Sequence, residues 1–302
     1  MHAWEQIQIT IDYIEDHIAE EISIEELSKK AALSQFYYQR LFTRLVKRPV
    51  NEYIKLRRLA RASEALHDKN KKIIDIALDH GFSSHEVFTR AFKSAFGMTP
   101  ENYRSNPVRL NNFIKPQLML NYTLVDENVP LVTEGIVIEI SRCRLETPQY
   151  FLGYTVEEPI NQMPGQGETG IDTLALLWDR FHEQKLKLPM LKEDGDELGV
   201  AHMGTREGCY RYFAGSEAET KDIVEGMDRW ILEQGEYIIC IFEAENFENL
   251  VMDAIYKAQN YLFTTWLPNH HLTTKPFSIE RYASHGPDTT KMEIWVMPQP
   301  IS

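Results

Sequence analysis

Compared with itself at an offset of 50, the first hundred residues of this chain match: Ser34, Arg40, Phe42 and Tyr53 fall on Ser84, Arg90, Phe92 and Tyr103. A repeat of this length in helical sequence restricts the fold to two copies of one small helical unit. The pattern is helical because apolar residues recur at i, i+3 and i+4, and no β-branched alternating run occurs before the 130s. Each copy opens with a short helix. In the first copy, Ser23 and Glu26 of Ser23-Ile24-Glu25-Glu26-Leu27 have capping-box spacing. In the second, Ile73-Ile74-Asp75-Ile76-Ala77-Leu78 is followed by His80-Gly81-Phe82, where Gly81 is free to take the left-handed conformation of a tight turn. A second helix then starts at Ser34 in one copy and at Ser83 or Ser84 in the other, all good N-caps. Short helix, tight turn and capped second helix, twice over, predict two helix-turn-helix units.

The second helices are expected to bury Leu41, Phe42 and Leu45, or Phe88, Phe92 and Ala95, and to leave their first turns polar. Those turns carry Gln35, Phe36, Gln39 and Arg40 in one unit and His85, Glu86, Thr89 and Arg90 in the other. Arg and Gln have the donor and acceptor geometry for guanine and adenine edges, and Phe or a Thr methyl packs on the thymine methyl. Lys29, Lys30, Arg44, Lys47, Arg48, Arg57, Arg58 and Lys93 are the nearby candidates for phosphates. Between the units, residues 50–66 read as one helix about 25 Å long at 1.5 Å per residue. That length, with the width of the bundle, suits two helices entering successive major grooves on one face of a duplex, about 34 Å apart.

Charge is distributed to match. The net charge is -13, yet residues 29–104 hold 16 basic against seven acidic residues, while the chain from Arg109 onward holds 16 basic against 30 acidic. Double-stranded DNA is therefore the expected partner of the first part alone. At 302 residues two domains are expected. The N-terminus lacks a basic start followed by an apolar run, no stretch approaches membrane-spanning length, and a cytoplasmic protein without membrane contact is expected. Cys143, Cys209 and Cys240 are few and far apart, which fits neither a disulfide framework nor a metal site, and no metal or cofactor is expected.

Strand-like runs begin at Ile136-Val137-Ile138-Glu139-Ile140 and recur at residues 150–154, 237–242 and 293–297, with amphipathic helical stretches at 171–183 and 247–262. The expected fold is therefore multidomain: an all-α double helix-turn-helix domain over 1–108, a linker over 109–135, and an α+β domain over 136–302. In Phe277-Ser278-Ile279-Glu280-Arg281-Tyr282, Glu280 and Tyr282 share a face; in Glu293-Ile294-Trp295-Val296, so do Glu293 and Trp295. If those strands are neighbours, both acids and both aromatics are expected on one surface, with Leu174, Leu177, Trp178 and Phe181 on one helix and Tyr256 and Tyr261 on another. An aromatic box with an acidic floor suits a lipophilic cation as small-molecule effector.

Residues 8–104 resemble the DNA-binding domain of AraC/XylS-family transcriptional regulators. The resemblance is carried by Ile76-Ala77, Gly81-Phe82, Phe88-Thr89-Arg90-Ala91-Phe92-Lys93, Phe96-Gly97, Thr99-Pro100 and Tyr103-Arg104. It implies seven helices and base contacts from the eight exposed residues named above. It also implies regulation of a promoter, with RNA polymerase as a further partner. Arg48 stands where the family's first copy often has glycine.

The second half, from Ile136 to Ile301, resembles the GyrI-like effector-binding domain. Here the carriers are the strand 150–154 with Gly153, the stretch 206–215, Trp266-Leu267-Pro268, Pro276-Phe277-x-x-Glu280-x-Tyr282 and Glu293-Ile294-Trp295-Val296-Met297-Pro298. That resemblance implies two pseudo-symmetric βαββ units and a ligand-contacting Glu280 in an aromatic pocket, to which Glu293, Trp295, Trp178, Tyr256 and Tyr282 are added here. Asn269-His270-His271 replaces the Ser-Gly-Tyr usual after Trp-Leu-Pro. Two rival roles for this domain remain: a hydrolase with Glu280 as general base, and a ligand-free module that docks on protein.

Overall fold

The computed structural model describes residues 2–133, 135–163, 169–222, 224–282 and 289–301. The chain divides into two units: residues to 119 with 169–172, and residues 120–163 with 173 onward.

The first unit holds seven helices: α1 (Ala3–Asp16), α2 (Ile24–Lys30), α3 (Gln35–Val46), α4 (Val50–Ala65), α5 (Ile73–Asp79), α6 (His85–Phe96) and α7 (Pro100–Ser105). Ser23, Ser34 and Ser84 each accept the backbone N–H of the third residue of the helix that follows, fixing the starts of α2, α3 and α6. Two turns of the same kind separate the helices of each pair. In one, Leu33 N–H reaches Ser28 O with Ala32 at φ 53°; in the other, Phe82 N–H reaches Ala77 O with Gly81 at φ 75°. These turns lie 49 residues apart and the helices after them 50 apart, because the second copy carries the extra residue Ser83.

Two apolar cores result, and α4 serves both. Its Val50, Tyr53, Ile54 and Leu56 pack with Ile7, Ile11, Ile14, Tyr38 and Phe42. Its Leu59 and Ala62, with Leu66 just beyond, pack with Ile76, Phe88, Phe92 and Phe96. A helix with an apolar stripe along its whole length can present its first turns to one core and its last turns to the next.

The segment expected as a linker divides between the units. Leu110 is buried in the second core, while Phe113 and Leu118 are buried in the first. The two-residue strand β1 (Leu110–Asn111) pairs antiparallel with the later strand Gly170–Ile171, which packs against α6.

The second unit is built on a nine-stranded antiparallel sheet. Numbering continues with β2 (Leu131–Thr133), β3 (Ile136–Leu145), β4 (Gln149–Pro159) and β5, the strand Gly170–Ile171 just described. Then come β6 (Glu197–Met203), β7 (Cys209–Glu217), β8 (Asp228–Leu232) and β9 (Gly235–Glu243), followed by β10 (Leu272–Thr274), β11 (Phe277–Tyr282), β12 (Lys291–Val296) and β13 (Pro298–Pro300). The order across the sheet is β2-β3-β9-β12-β11-β6-β7-β4-β8, and β10 pairs separately with β13. Helix α8 (Thr173–Lys185) lies between β5 and β6 in the chain. A helical run from 247 to 269 contains α9 (Phe247–Asn249), α10 (Ile255–Tyr261) and α11 (Leu267–Asn269), joined by wide π-type turns at Leu250–Ala254 and Leu262–Trp266. It extends seven residues beyond the helix expected from the sequence, through Pro268, whose place in the first turn of α11 needs no N–H donor.

Side chains on both faces of this sheet are buried along β9, which is why 237–242 reads as an unbroken apolar run. Ile238, Cys240 and Phe242 face the helices together with Ile138, Ile140 and Ile294, whereas Tyr237 and Ile239 face the other side with Phe151, Phe213, Ile279 and Trp295.

Candidate functional site

The first turns of α3 and α6 point away from the cores. Gln35, Phe36, Gln39, Arg40, Glu86 and Arg90 are exposed, and His85 is half-buried. The helices bury Tyr38, Phe42 and Val46, or Phe88, Phe92 and Phe96; Leu41, Leu45 and Ala95, expected inside, are half-buried at the edges of the cores. Arg40 lies over the Phe36 ring at 5.8 Å, so a cation and an aromatic face are offered together. Thr89 is turned partly inward and its hydroxyl oxygen is covered. The Glu86 carboxylate folds back on Ser84 and its own backbone N–H, which hold its pKa below the ordinary glutamate value. Two exposed apolar residues in these turns were not picked out from the sequence: Tyr37, 64% exposed, and Val87, 43% exposed.

Two of the expected phosphate contacts are committed elsewhere. Arg57 forms an ion pair with buried Glu15 at 2.7 Å and donates to Phe113 O at 2.6 Å. Tyr53 and Arg61 also donate to Glu15. Burial alone would raise the Glu15 pKa, but Arg57, Tyr53 and Arg61 together hold it below the ordinary value. Arg58 donates to three carbonyls, Ile18 at 2.8 Å, Gly81 at 2.7 Å and Glu20 at 2.6 Å, and so clamps the loop after α1 to the turn of the second helix-turn-helix copy. Lys29 pairs with Glu25, and the Lys30 ammonium lies 3.8 Å from the centre of the Tyr13 ring. The left-handed cap of α3 is Lys47, at φ 61°, opposite Gly97 at φ 75° in the second copy; the position where glycine was expected is therefore 47, not 48.

In the sheet unit, strand register separates the residues expected on one surface. Glu280 pairs across β11 and β12 with Ile294, and Arg281 pairs with Glu293. Cross-strand partners share a face, so Glu280 and Tyr282 lie on the helix side while Glu293 and Trp295 lie on the other. There the Trp295 indole donates to Glu293 at 2.7 Å and the Arg281 guanidinium, itself bonded to Asp196, lies 4.8 Å from the Trp295 ring. The expectation of two acids and two aromatics on one surface is thus corrected to one acid per face.

Around Glu280, which is 9% exposed, the helix side collects groups from four elements. Tyr212 of β7 donates to Oε2 at 2.5 Å, Tyr282 donates to the same oxygen at 3.3 Å, and Gln259 of α10 donates to Oε1 at 2.9 Å. Trp178 of α8 donates its indole N–H to the Tyr212 oxygen at 3.3 Å and meets the Tyr282 ring edge-on at 5.2 Å. Indole nitrogen can only donate, so the Tyr212 proton is directed to Glu280. Burial, then the Glu280 charge, raise Tyr212 and Tyr282 well above the ordinary tyrosine pKa, so both are neutral donors at physiological pH. Tyr256 is half-buried and close enough to Tyr282 to affect its ionisation, whereas Tyr261 is a fully buried core residue whose hydroxyl oxygen accepts from Val125 N–H at 3.3 Å. Space for this cluster comes from Gly199, whose Cβ, if present, would stand 1.9 Å from the Tyr212 hydroxyl and 2.9 Å from Glu280 Oε2. Tyr212, Gln259 and Gly199 were not found from the sequence. The parity of Tyr210, Tyr212 and Ala214 along β7 was the one available hint.

Two family descriptions match the chain: a helix-turn-helix domain over residues 27–106 and a GyrI-like small molecule binding domain over residues 147–298. Among similar proteins, the regulatory protein SoxS of Salmonella typhimurium is 38% identical over 98 residues, 32% of this chain and 92% of SoxS. The HTH-type transcriptional regulator YbfP of Bacillus subtilis is 43% identical over 105 residues, 35% of this chain and 36% of YbfP. The right origin-binding protein of Escherichia coli is 34% identical over 141 residues, 44% of this chain and 48% of that protein. The match thus spans less than half the length of the latter two. No helix among the described residues is long and apolar enough to cross a membrane.

Proposed function

The chain belongs to the AraC family of helix-turn-helix transcriptional regulators and carries a GyrI-like small-molecule-binding domain, and on that premise we propose that it is a one-component promoter regulator whose effector is a lipophilic cation held at Glu280. The observation that carries the effector reading is a carboxylate nine-tenths buried among Trp178, Tyr212, Tyr256 and Tyr282, with neutral donors from tyrosine and glutamine on both of its oxygens. A negative charge kept from water beside π faces attracts a cation that sheds its own hydration easily. Glu293 and Trp295, on the opposite face and engaged with one another, are left out of this site.

Gln35, Phe36, Gln39, Arg40, His85, Glu86 and Arg90 read the promoter in this proposal, with Thr89 contributing its methyl. Arg44, Lys47 and Lys93 take the phosphates in place of Arg57 and Arg58. Effector capture then changes DNA affinity or contact with RNA polymerase in the cytoplasm, by favouring one of two arrangements of the protein. The strand order supports two pseudo-symmetric βαββ units, since β4-α8-β6-β7 and β9-α10-β11-β12 give the orders β6-β7-β4 and β11-β12-β9 outward from the shared β6–β11 junction.

Tetraphenylarsonium and tetraphenylborate, nearly identical in shape and opposite in charge, test the effector reading by calorimetry on the full chain. The cation should bind, the anion should not, and Glu280→Gln should remove the difference; equal binding of both ions by the wild type would refute it. Selection from a random DNA library tests the other half. The double variant Arg40→Ala, Arg90→Ala should lose the selected motif, at about 1–3 kcal/mol per contact, and keep salt-sensitive background binding.

A further inference from the structure

We propose that the sheet unit carries a second small-molecule site, on the face opposite Glu280, and that this site takes a zwitterionic α-amino acid. It shares no side chain with the cation site. A cavity of about 470 Å³ is bordered by the end of β3, the start of β4, β11 and β12, and is lined among others by Leu145, Gln149, Arg281, Lys291, Glu293 and Trp295. Cavities that hold small ligands run from about 300 to 1,000 Å³.

Period-2 alternation puts Lys291, Glu293 and Trp295 on one face of β12, and register sets Arg281 directly across from Glu293. Arg281 is nevertheless turned to Asp196, which also lines the cavity: its Nε and Nη2 reach Oδ2 at 2.7 Å and 2.5 Å, and its guanidinium lies 4.8 Å from the Trp295 ring. Glu293 is thereby left without its cross-strand cation. Its Oε2 accepts from the Trp295 indole at 2.7 Å, while its Oε1 accepts nothing and Lys291 forms no ion pair among the described residues. The side-chain oxygen of Gln149 is covered and has no donor among the described residues.

Of the four charges at this cavity, Arg281 and Asp196 satisfy one another. Glu293 and Lys291 do not; they stand two positions apart on one strand face, about 7 Å at the backbone. A carboxylate and an ammonium at that spacing attract a monovalent ion with one group and repel it with the other. An α-amino acid carries both charges on one carbon and meets each with its opposite. Its ammonium donates to Glu293 Oε1 and Gln149 Oε1, its carboxylate accepts from Lys291, and its side chain lies along Leu145 and Trp295.

The test is calorimetry on the full chain at pH 7 with probes of one skeleton: L-phenylalanine, which carries both charges, phenethylamine, which carries only the ammonium, and 3-phenylpropionate, which carries only the carboxylate. Each is measured in Glu280→Gln as well as in wild type, so that cation binding at Glu280 is kept out of the comparison. L-Phenylalanine is expected to bind wild type and Glu280→Gln alike. In Glu280→Gln it should bind about tenfold more tightly than either singly charged probe, the scale of one lost charged hydrogen bond. Adding Glu293→Gln, which still accepts the Trp295 indole N–H, should weaken L-phenylalanine by about tenfold and leave 3-phenylpropionate unweakened. Adding Lys291→Met instead, at an exposed position, should weaken L-phenylalanine and leave phenethylamine unweakened.

L-Phenylalanine binding that is lost in Glu280→Gln and kept in Glu293→Gln would place the ligand on the helix side, and would overturn the second site while leaving the cation reading standing. Equal affinities for L-phenylalanine and phenethylamine in Glu280→Gln, or no binding of L-phenylalanine to the wild type, would overturn it as well. The expected L-phenylalanine pattern in a protein that fails to bind tetraphenylarsonium would support this site and overturn the cation reading alone.

Discussion

Replacing Arg58 by alanine separates a structural clamp from a DNA contact. Arg58 reaches three carbonyls, at 2.8 Å to Ile18, 2.7 Å to Gly81 and 2.6 Å to Glu20, and burial lowers its pKa. A hydrogen bond from a charged donor contributes about 1.5–3 kcal/mol, and water can replace the bond to Glu20, an exposed residue. Two bonds remain to be lost, for a destabilisation of about 3 kcal/mol. Amide hydrogen exchange in the full chain should then show protection in α4 and α5 reduced by about two orders of magnitude, because those helices open through the turn that Arg58 holds. Under conditions where the variant is folded, the dependence of DNA affinity on salt should keep the wild-type slope. Lys93→Ala, by contrast, should reduce that slope by about 0.9, the value of one released counterion. Native protection together with a slope reduced by about 0.9 in Arg58→Ala would refute the clamp and return Arg58 to the phosphates.

Lys47→Gly should stabilise the helical unit by about 1 kcal/mol, measured as a shift of its thermal midpoint, because Lys47 holds φ 61° at the C-terminus of α3 where glycine is unstrained. The Glu15 pKa is lower in the fold than in the unfolded chain, so its stabilisation is full above the ordinary glutamate value and is lost as pH falls through the folded value. Urea midpoints of the helical unit should therefore fall with acidification in that window, and the fall should be smaller in Glu15→Gln. Gly199→Ala places a methyl carbon 1.9 Å from the Tyr212 hydroxyl, and should drive that hydroxyl from Glu280; cation affinity should change while the fold, followed by circular dichroism, is retained.

The parts of this molecule that could be read from sequence are those decided within one turn or one strand. The two helix pairs, the helix between them, the serine caps and the exposed first turns of α3 and α6 follow from a 3.6-residue period and from local hydrogen bonds, and period and caps are properties of neighbouring residues, whereas the count of seven helices came from the family resemblance. The one-residue difference between the 49- and 50-residue offsets escaped because a comparison at a single offset aligns the capped second helices and slides past Ser83. Arg57 and Arg58 were read as phosphate ligands because positive charge has no direction in a sequence. Only the packed bundle shows that these two side chains face Glu15 and the turn carbonyls.

Register explains the other failure. Alternation along β11 and β12 correctly put Glu280 with Tyr282 and Glu293 with Trp295, but which pair faced the helices depended on whether Glu280 met Ile294 or its neighbour. A shift of one residue inverts every side chain of a strand, and nothing local to either strand fixes that shift. The same reasoning accounts for the groups that sequence did not supply. Tyr212 and Gly199 reach Glu280 through the β6 and β7 register, and Gln259 reaches it from a helix packed over the sheet. Each residue is unremarkable in its own segment; the site exists because three separate registrations coincide at one carboxylate. Substitutions that leave Glu280 untouched but move one of those partners should therefore alter ligand choice more readily than they alter the fold.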